Sequence, residues 1–267
     1  MNRTELLPDR PGIPPMAPLP EAEVIDPAAL ADACAAGDTD LICVLGPTAS
    51  GKTRYAVALV RALGRPAEIL SADSRQVYRG MDIGTGKDLK EYGDVPYHLI
   101  DLVPAGEQFN IYQYQAAFAD AYASVRQRGT IPLLCGGSGL YIESVTRAYK
   151  FDRENGVSPD RLPQQPYYIG TLVSREERVA RIDRRLEERL QEGLVDEVRG
   201  LLESVPAETL IRYGLEYKFV TQYILGELSY DDMVVALGNA IHQFAKRQMT
   251  WFRGMERDGI RIHWVRP

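Results

Sequence analysis

The chain has 267 residues, of which 45% are hydrophobic and 25% charged, a balance typical of one large globular domain. Its net charge of −6 excludes a protein that coats nucleic acid through bulk charge, so RNA would have to bind a local basic patch. Three scattered cysteines and three scattered histidines support neither a disulfide framework nor a zinc site. No apolar run reaches the roughly 18 residues of a membrane span and no signal pattern is present, so we expect a cytoplasmic protein without a membrane partner.

The first part of the chain predicts an α/β fold. Residues 1–25 are rich in proline and predict a disordered tail, after which Asp26-Pro27 predicts the start of a short helix. From residue 41, apolar runs alternate with helical patterns, which predicts a parallel sheet flanked by helices, of the P-loop NTPase type. The predicted strands are 41–46, 68–73, 97–102 and 131–137, and the predicted helices are 52–63 and 111–128.

The second half of the chain predicts a helical C-terminal part. After the tail, we divide the chain into a P-loop α/β core over 26–149, a polar linker over 150–166, and a region over 167–267 that completes the core. Ligands of such sheets bind at the carboxyl ends of the strands, so we expect one crevice there. Apart from a short strand at 167–173, the last region predicts helices over 174–191, 194–203, 215–225 and 230–252.

The segment between the first strand and the next helix has the spacing G-x-x-x-x-G-K-T of a phosphate-binding loop. In such a loop backbone N–H groups point at phosphate oxygens, the lysine contacts the outer phosphates, and the threonine hydroxyl binds Mg²⁺ or an oxygen. The motif alone predicts a bound diphosphate or triphosphate and does not distinguish ATP from another diphosphate. The candidate diphosphate-binding residues are Gly46, Pro47, Thr48, Ala49, Ser50, Gly51, Lys52 and Thr53.

Acidic residues are missing from the place where a P-loop NTPase usually holds Mg²⁺, because the apolar strand 131–137 ends in glycines. Asp73 follows a buried strand on the expected site side, and we interpret it as a general base. For Asp101 we expect a structural role as a hydrogen-bond acceptor in a turn.

Two basic segments are candidates for binding phosphate or RNA. The helix after Ser174 carries an arginine stripe that either overhangs the crevice or forms a solvated face paired with neighbouring acids. Near the C-terminus, AKRQMTWFRGMERDGIRIHWVRP interleaves basic and aromatic residues, which suits contact with an RNA backbone and with bases. For Trp251 and Phe252 in this run we expect anchoring of the last helix to the core. The arginine stripe consists of Arg178, Arg181, Arg185 and Arg189.

Several motifs occur in the order of one known family, and the chain resembles it from about residue 41 to 264. The motifs are GPTASGKT, SADSRQVYRGMDIGTGK, HLID, GGSGLY, GLVDEV and AKRQMTWFR. The family is that of the tRNA dimethylallyltransferases, also called tRNA isopentenyltransferases. The resemblance implies transfer of a dimethylallyl group from dimethylallyl diphosphate to N6 of an adenine, adenosine 37 next to the tRNA anticodon. It also implies Mg²⁺ as a cofactor, and we expect a monomer.

The resemblance assigns residues by motif position. Lys52 and Thr53 match contacts to the diphosphate and to Mg²⁺, and Asp73 matches the base that takes the N6 proton. Ser138 stands where a threonine is usual and keeps a hydroxyl, while Arg185 matches an arginine that closes over the diphosphate. The residues implied to touch the target adenosine or the RNA are Ser74, Arg75, Gln76, Lys246, Arg247 and Arg253.

Two departures from the family pattern concern RNA. The helical insertion that usually follows GGSGLYIESV is missing or vestigial, because the chain passes through 150–166 directly to YYIGTLVSRE. Glu216 takes a glycine's place in GLEYK, where we expect its charge to repel an RNA phosphate. Three alternatives stay open: the same transfer to a free adenine nucleotide, an ATP-dependent small-molecule kinase, and a homologue that binds without catalysis.

Overall fold

The structure is a computed structural model that describes residues 19–149 and 156–267. The described helices are α1 (Pro27–Ala36), α2 (Lys52–Ala62), α3 (Ile111–Gln127), α4 (Gly139–Thr146), α5 (Arg175–Glu192), α6 (Leu194–Leu201), α7 (Ala207–Tyr213), α8 (Leu215–Ile224) and α9 (Tyr230–Arg257). The described strands are β1 (Leu41–Leu45), β2 (Ala67–Ser71), β3 (Tyr78–Arg79), β4 (Tyr97–His98), β5 (Val103–Pro104), β6 (Ile131–Gly136), β7 (Pro166–Thr171) and β8 (Ile262–Val265).

A six-stranded sheet in the order β4-β2-β6-β1-β7-β8 forms the centre of the molecule, and its neighbouring strands run parallel. Side chains of β1 alternate between two hydrophobic cores. Leu41, Cys43 and Leu45 pack on one face of the sheet, and Ile42 and Val44 pack on the other. Because both faces are buried, the strand is apolar without interruption. The predicted α/β class, with helices flanking a parallel sheet, is confirmed.

Helix caps in the structure correspond to polar residues that begin the predicted helices. The Asp26 carboxylate accepts a hydrogen bond from the Ala28 N–H at 2.9 Å, and Pro27 is the first residue of α1, as predicted. Asn110 and Gln113 form a reciprocal capping box at the start of α3. These caps supply partners for N–H groups that the first helical turn leaves unpaired.

The structure differs from the prediction around residue 100. Strand β4 covers only Tyr97–His98, because Leu99 and Asp101 adopt positive φ angles of 67° and 58° that turn the chain. The Asp101 carboxylate accepts a hydrogen bond from the buried Lys87 ammonium, which agrees with the structural role expected of it. Five further elements, α4, α7, β3, β5 and β8, were not predicted, and α9 continues past residue 252 to Arg257.

The predicted tail and the predicted linker lie partly outside the described residues. Where the predicted tail is described, the Glu23 N–H donates to the Trp264 carbonyl at 2.7 Å, so this segment contacts β8. The division of the chain into a tail, two parts of the core and a linker stays a prediction. Over 19–149 and 156–267, none of the helices has the length and apolar character that crossing a membrane requires.

Candidate active site

A cavity of about 600 Å³ lies at the carboxyl ends of β1, β2 and β6. The segments that follow these strands form one part of its wall, and residues of α5, α8 and α9 form another. Among the described residues, Lys246 and Arg253 are not part of this wall. The predicted site residues that do line it are Thr48, Lys52, Thr53, Asp73, Ser74, Arg75, Gln76, Ser138, Arg185 and Arg247.

The P-loop residues that do not line the cavity hold the loop in shape. Gly51, with φ of 82°, ends the loop and begins α2 without a side-chain cap, so the first N–H groups of the helix point toward the cavity. The Ser50 hydroxyl lies 2.6 Å from that of Thr171 at the end of β7. A Cβ at Gly46 would lie 2.1 Å from the Thr171 hydroxyl oxygen, so only glycine fits there. The loop is therefore held against β7 by packing and by a buried hydrogen bond.

Gln248 of α9 connects two of the loops that line the cavity. Its side-chain oxygen accepts the Thr48 N–H at 2.7 Å, and its nitrogen donates to the Gly137 carbonyl at 2.9 Å. The Gln248 side chain is buried, and 200 residues of sequence separate it from Thr48. The prediction did not include Gln248, since nothing in a single sequence indicates that a helix glutamine meets a distant P-loop.

The segment after β2 is held by the segment after β6. The Ser74 N–H donates to the Ser138 hydroxyl oxygen at 3.0 Å, and the Ser138 hydroxyl donates to that of Ser74 at 3.3 Å. One carboxylate oxygen of Asp73 accepts the Arg75 N–H at 2.9 Å, and the Gln76 amide donates to the Gly86 carbonyl at 3.1 Å. The structure thus brings the predicted residues 73–76 and Ser138 together at the cavity wall.

Three cations come close to one another at the cavity. Desolvation lowers the pKa of the Lys52 ammonium, and the positive charges of Arg185 and Arg189 lower it further, while Asp73 opposes this. Arg185 pairs with the Asp88 carboxylate and lies beside the Gly86 carbonyl. Such a group of cations favours a ligand with several negative charges.

A glycine-containing loop, residues 81–87, supports the two arginines. A Cβ at Gly86, whose φ is 58°, would lie 1.7 Å from Arg189 Nη2 and 2.5 Å from Arg185 Nη2. The Glu197 carboxylate of α6 accepts the N–H of Ile83 at 2.7 Å, that of Gly84 at 3.0 Å and that of Asp82 at 2.8 Å. The GLVDEV motif therefore supplies a carboxylate that binds the backbone of the DIGTGK motif. The sequence analysis named both motifs but gave neither of them this role.

Glu216 forms an ion pair with an arginine of another helix. Its carboxylate lines the cavity and lies 3.4 Å from Arg189 Nη1. Its side chain is 18% exposed. The structure shows that α8 turns this residue toward α5, and repulsion of an RNA phosphate by its charge stays a prediction.

Cys135 is the next-to-last residue of β6, the strand whose end lacks an acidic residue. Its thiol lines the cavity and hydrogen-bonds with Thr53. Burial raises the pKa of the thiol to about 12, although the Lys52 charge acts in the opposite direction. The thiol is therefore neutral at physiological pH.

Aromatic side chains from α7 and α9 form an apolar part of the wall, with Tyr213, Phe244 and Trp251 as its main members. Trp251 is 41% exposed and donates its indole N–H to Glu143 at 2.6 Å. Phe252 is fully buried, and a Cβ at Gly139 of α4 would lie 2.3 Å from the Trp251 ring, so both residues anchor the last helix as expected, and Trp251 also lines the cavity.

The donor set of this site limits how a metal ion can bind. In the described part of the chain, no group of three or more His, Cys, Asp or Glu side chains is placed to hold an ion. Thr53 and Asp73 offer oxygen atoms at the cavity, and oxygen is the donor that Mg²⁺ prefers. The residues present therefore fit an ion that also binds phosphate oxygens of a ligand.

The family model described as IPP transferase matches residues 76–165 and 150–255. The chain belongs to the IPP transferase family. The prediction of a prenyltransferase is thereby confirmed, as is the resemblance from which it was made.

Curated relatives and a solved structure agree with this family assignment. The tRNA dimethylallyltransferase 2 of Bacteroides fragilis is 44% identical over 85% of this chain and 93% of its own length. The tRNA dimethylallyltransferase 1 of Porphyromonas gingivalis is 45% identical over 84% of this chain and 93% of its own length. The tRNA isopentenylpyrophosphate transferase of Bacillus halodurans superposes with a TM-score of 0.73 at 27% identity, covering 85% of this chain and 90% of that one.

A relative in the IPP transferase family contains residues that have no counterpart in this chain. The alignment with the Bacteroides protein is 286 positions long, whereas 85% of this chain is about 227 residues, so about 59 positions of that relative have no counterpart here. The IPP transferase match also divides into two segments that overlap at 150–165. That the missing insertion belongs at 150–166 stays a prediction, which this division supports.

Proposed function

We propose that this protein transfers the dimethylallyl group of dimethylallyl diphosphate to the N6 amine of adenosine 37, next to the anticodon of tRNA. The observation that carries the proposal is one cavity wall that holds Asp73 together with the cations Lys52 and Arg185. The names of the relatives, which are tRNA dimethylallyltransferases, support the donor and the acceptor. Membership of a prenyltransferase family replaces the alternative of an ATP-dependent kinase.

Asp73 is the proposed proton acceptor of the reaction. The N6 amine is a poor nucleophile because its lone pair is delocalised into the adenine ring. As nitrogen bonds to the allylic carbon, the amine becomes acidic and its proton moves to a carboxylate. One oxygen of Asp73 is held by the Arg75 N–H at 2.9 Å, so we assign the N6 proton to the other oxygen. Ser138 acts through Ser74, by keeping this segment in place.

The P-loop and the arginines are the proposed site of the leaving group. When the allylic C–O bond breaks, its electron pair stays on the diphosphate, and the negative charge there increases. Lys52, Arg185 and the N–H groups at the start of α2 then stabilise the transition state by electrostatic interaction. Pro47, Ala49 and Gly51, which do not line the cavity, shape this loop.

Mg²⁺ is the cofactor that the oxygen donors of the site fit best. Thr53 is the proposed protein ligand of the ion, and the diphosphate would supply the other oxygen ligands. When bound, the ion would neutralise part of the negative charge on the departing diphosphate.

The aromatic part of the wall is the proposed contact for the acceptor base. An adenine in an RNA loop must leave its stack to reach such a cavity. Phe244 and Trp251 offer flat surfaces near the cavity opening, and the Arg247 guanidinium lies 5.9 Å from the Phe244 ring centroid. Lys246 and Arg253 lie outside the cavity wall, so we assign them to the RNA backbone.

Transfer of labelled dimethylallyl from its diphosphate, in the presence of Mg²⁺, tests the proposal. Unmodified tRNA, AMP and ATP are offered as separate acceptors. Label in tRNA alone is the expected result, because the relatives are tRNA enzymes. Label in AMP alone would support the free-nucleotide alternative, and absence of label from all three would refute prenyl transfer.

Replacement of Asp73 by asparagine tests the proton acceptor. Asp73→Asn keeps the size and the hydrogen bond to the Arg75 N–H, but it removes the base. We expect transfer to fall by at least about a hundredfold, as is typical for loss of a general base, while pyrophosphate binding persists. Near-normal turnover of this variant would show that another group accepts the proton.

A further inference from the structure

Arg189 and Glu216 form a pair inside the cavity that the proposed mechanism does not use. Arg189 lies one helical turn after Arg185 on α5, and Glu216 lies in the first turn of α8. Their side chains are 11% and 18% exposed, and both line the cavity. Burial lowers the pKa of Arg189 and raises the pKa of Glu216, so keeping both groups charged here costs free energy. An ion pair with a purely structural role could be replaced by apolar side chains of similar volume without loss of folding stability.

The hydrogen bonds of the Arg189 guanidinium are long. Nη1 lies 3.4 Å from the Gly84 carbonyl and 3.4 Å from the Glu216 carboxylate. Charge-assisted hydrogen bonds of this kind are usually about 2.7–2.9 Å long. The guanidinium carries five N–H donors, and within the described residues these two contacts both use Nη1. The Arg189 guanidinium therefore has N–H donors left for an anionic ligand in the cavity.

Arg189 and Arg185 present two positive charges at the same point of the wall. A Cβ at Gly86 would lie 1.7 Å from Nη2 of Arg189 and 2.5 Å from Nη2 of Arg185. Each arginine has its own carboxylate, Asp88 for Arg185 and Glu216 for Arg189. A ligand with two or more negative charges would offset the repulsion between two positive charges so close together. When that ligand is absent, the two carboxylates offset part of this repulsion.

We propose that Arg189 is a second arginine that binds the diphosphate, and that Glu216 is a positioning residue that holds it at the cavity wall. This inference rests on the proposed function, because it assigns the diphosphate to the same cavity. Arg189 would bind both the diphosphate of the donor and the pyrophosphate that the reaction releases. Glu216 partly cancels the charge of Arg189, and this limits how tightly the product is held.

Binding of inorganic pyrophosphate with Mg²⁺ to the full chain, followed by calorimetry, tests the proposal. The decisive variant is the double substitution Arg189→Met with Glu216→Gln, which leaves no buried charge unpaired. We expect its affinity for pyrophosphate to fall about tenfold or more, the effect of losing a hydrogen bond to a charged group. The matched control is Arg184→Met, since Arg184 is an exposed arginine on the same helix. An affinity of the double variant within about twofold of the control would overturn the assignment.

Glu216→Gln alone gives an independent result, because it removes the counter-charge while its amide oxygen can still accept the Arg189 N–H and hold the guanidinium at the wall. We expect pyrophosphate to bind more tightly, and both kcat and the KM for dimethylallyl diphosphate to fall, since product release becomes slower. A merely structural role predicts weaker binding or none of these changes, and either result counts against the proposal. If the double variant does not fold by circular dichroism, Arg189→Lys replaces it, because lysine keeps the charge and loses the fork.

The two proposals fail in different ways. If the wild-type chain binds no pyrophosphate, the diphosphate site itself is wrong, and the role of Arg189 is wrong with it. If the wild-type chain binds pyrophosphate and transfers the prenyl group, but the Arg189 variants match the Arg184→Met control, only the present inference is overturned.

Discussion

Gln248→Met removes the connection between the P-loop and the segment after β6 while keeping the length of the side chain. Gln248 accepts the Thr48 N–H at 2.7 Å and donates to the Gly137 carbonyl at 2.9 Å, and the variant leaves both backbone groups without this partner. An unsatisfied buried polar group costs about 1–3 kcal/mol. The Thr48 N–H is only partly buried, so water can offer an acceptor oxygen in place of the Gln248 acceptor and reduce this cost. We therefore expect the free energy of unfolding to decrease by about 2–3 kcal/mol in total.

Thermal unfolding and pyrophosphate binding measure the two consequences of this change. For a domain of this size, about 1 kcal/mol shifts Tm by about 2–4 °C, so Tm should fall by about 4–12 °C. The P-loop is the proposed diphosphate site, and the segment after β6 holds the Asp73 segment through Ser138, so a small relative shift should also lower kcat, by up to about a hundredfold for a displacement of about 1 Å. Gln243→Met is the control, since Gln243 is exposed on the same helix. Equal Tm, kcat and pyrophosphate affinity in the two variants would refute the reasoning.

Two further predictions concern the loop that supports the arginines and the acid stability of the sheet. Gly86→Ala should lower kcat/KM by at least about tenfold, because its Cβ would displace both guanidinia. Gly80→Ala, with φ of 74° and open space around its Cβ, has the same backbone strain and should lower Tm while leaving kcat/KM unchanged; equal losses of activity would contradict this. For Glu68, burial raises the pKa, but hydrogen bonds from Arg128 and His98 outweigh it and hold the pKa below its usual value. The carboxylate therefore stabilises the fold above its ordinary pKa of about 4.3, and this contribution is lost as the pH falls through the lowered value. In urea unfolding between about pH 5 and pH 2, Glu68→Gln should flatten the loss of stability, and parallel curves for variant and wild type would count against it.

The parts of this molecule that were predictable from sequence are those encoded locally. The uninterrupted apolar run of β1 indicates a strand buried on both faces, and Asp26-Pro27 indicates a helix start whose cap the structure contains. The spacing of 46–53 indicates a phosphate-binding loop without reference to the rest of the chain. In each case one short segment carries the whole signal.

The parts that were not predictable depend on contacts between distant segments. Strand β8 has only four residues, and it pairs with β7 because α9 returns the chain to the sheet edge. The sequence of α9 does not indicate that Trp251 lines the cavity while Phe252, its neighbour, is buried, because the direction of a helix face depends on its packing partners. Glu216 turned inward for the same reason, since its counterpart Arg189 lies on another helix.

Strand β8 lies at the outer edge of the sheet, and the contact with Glu23 bears on whether this edge can pair with another chain. An edge strand exposes N–H and carbonyl groups that can pair with another chain. Here the Glu23 N–H occupies the Trp264 carbonyl at 2.7 Å, and the Glu23 carboxylate lies 2.7 Å from His263 Nδ1. A short N-terminal segment thus covers the edge and places a charge on it. Truncation beyond Glu23 would uncover β8 and favour edge-to-edge aggregation, so shortened forms made for crystallisation should retain this residue.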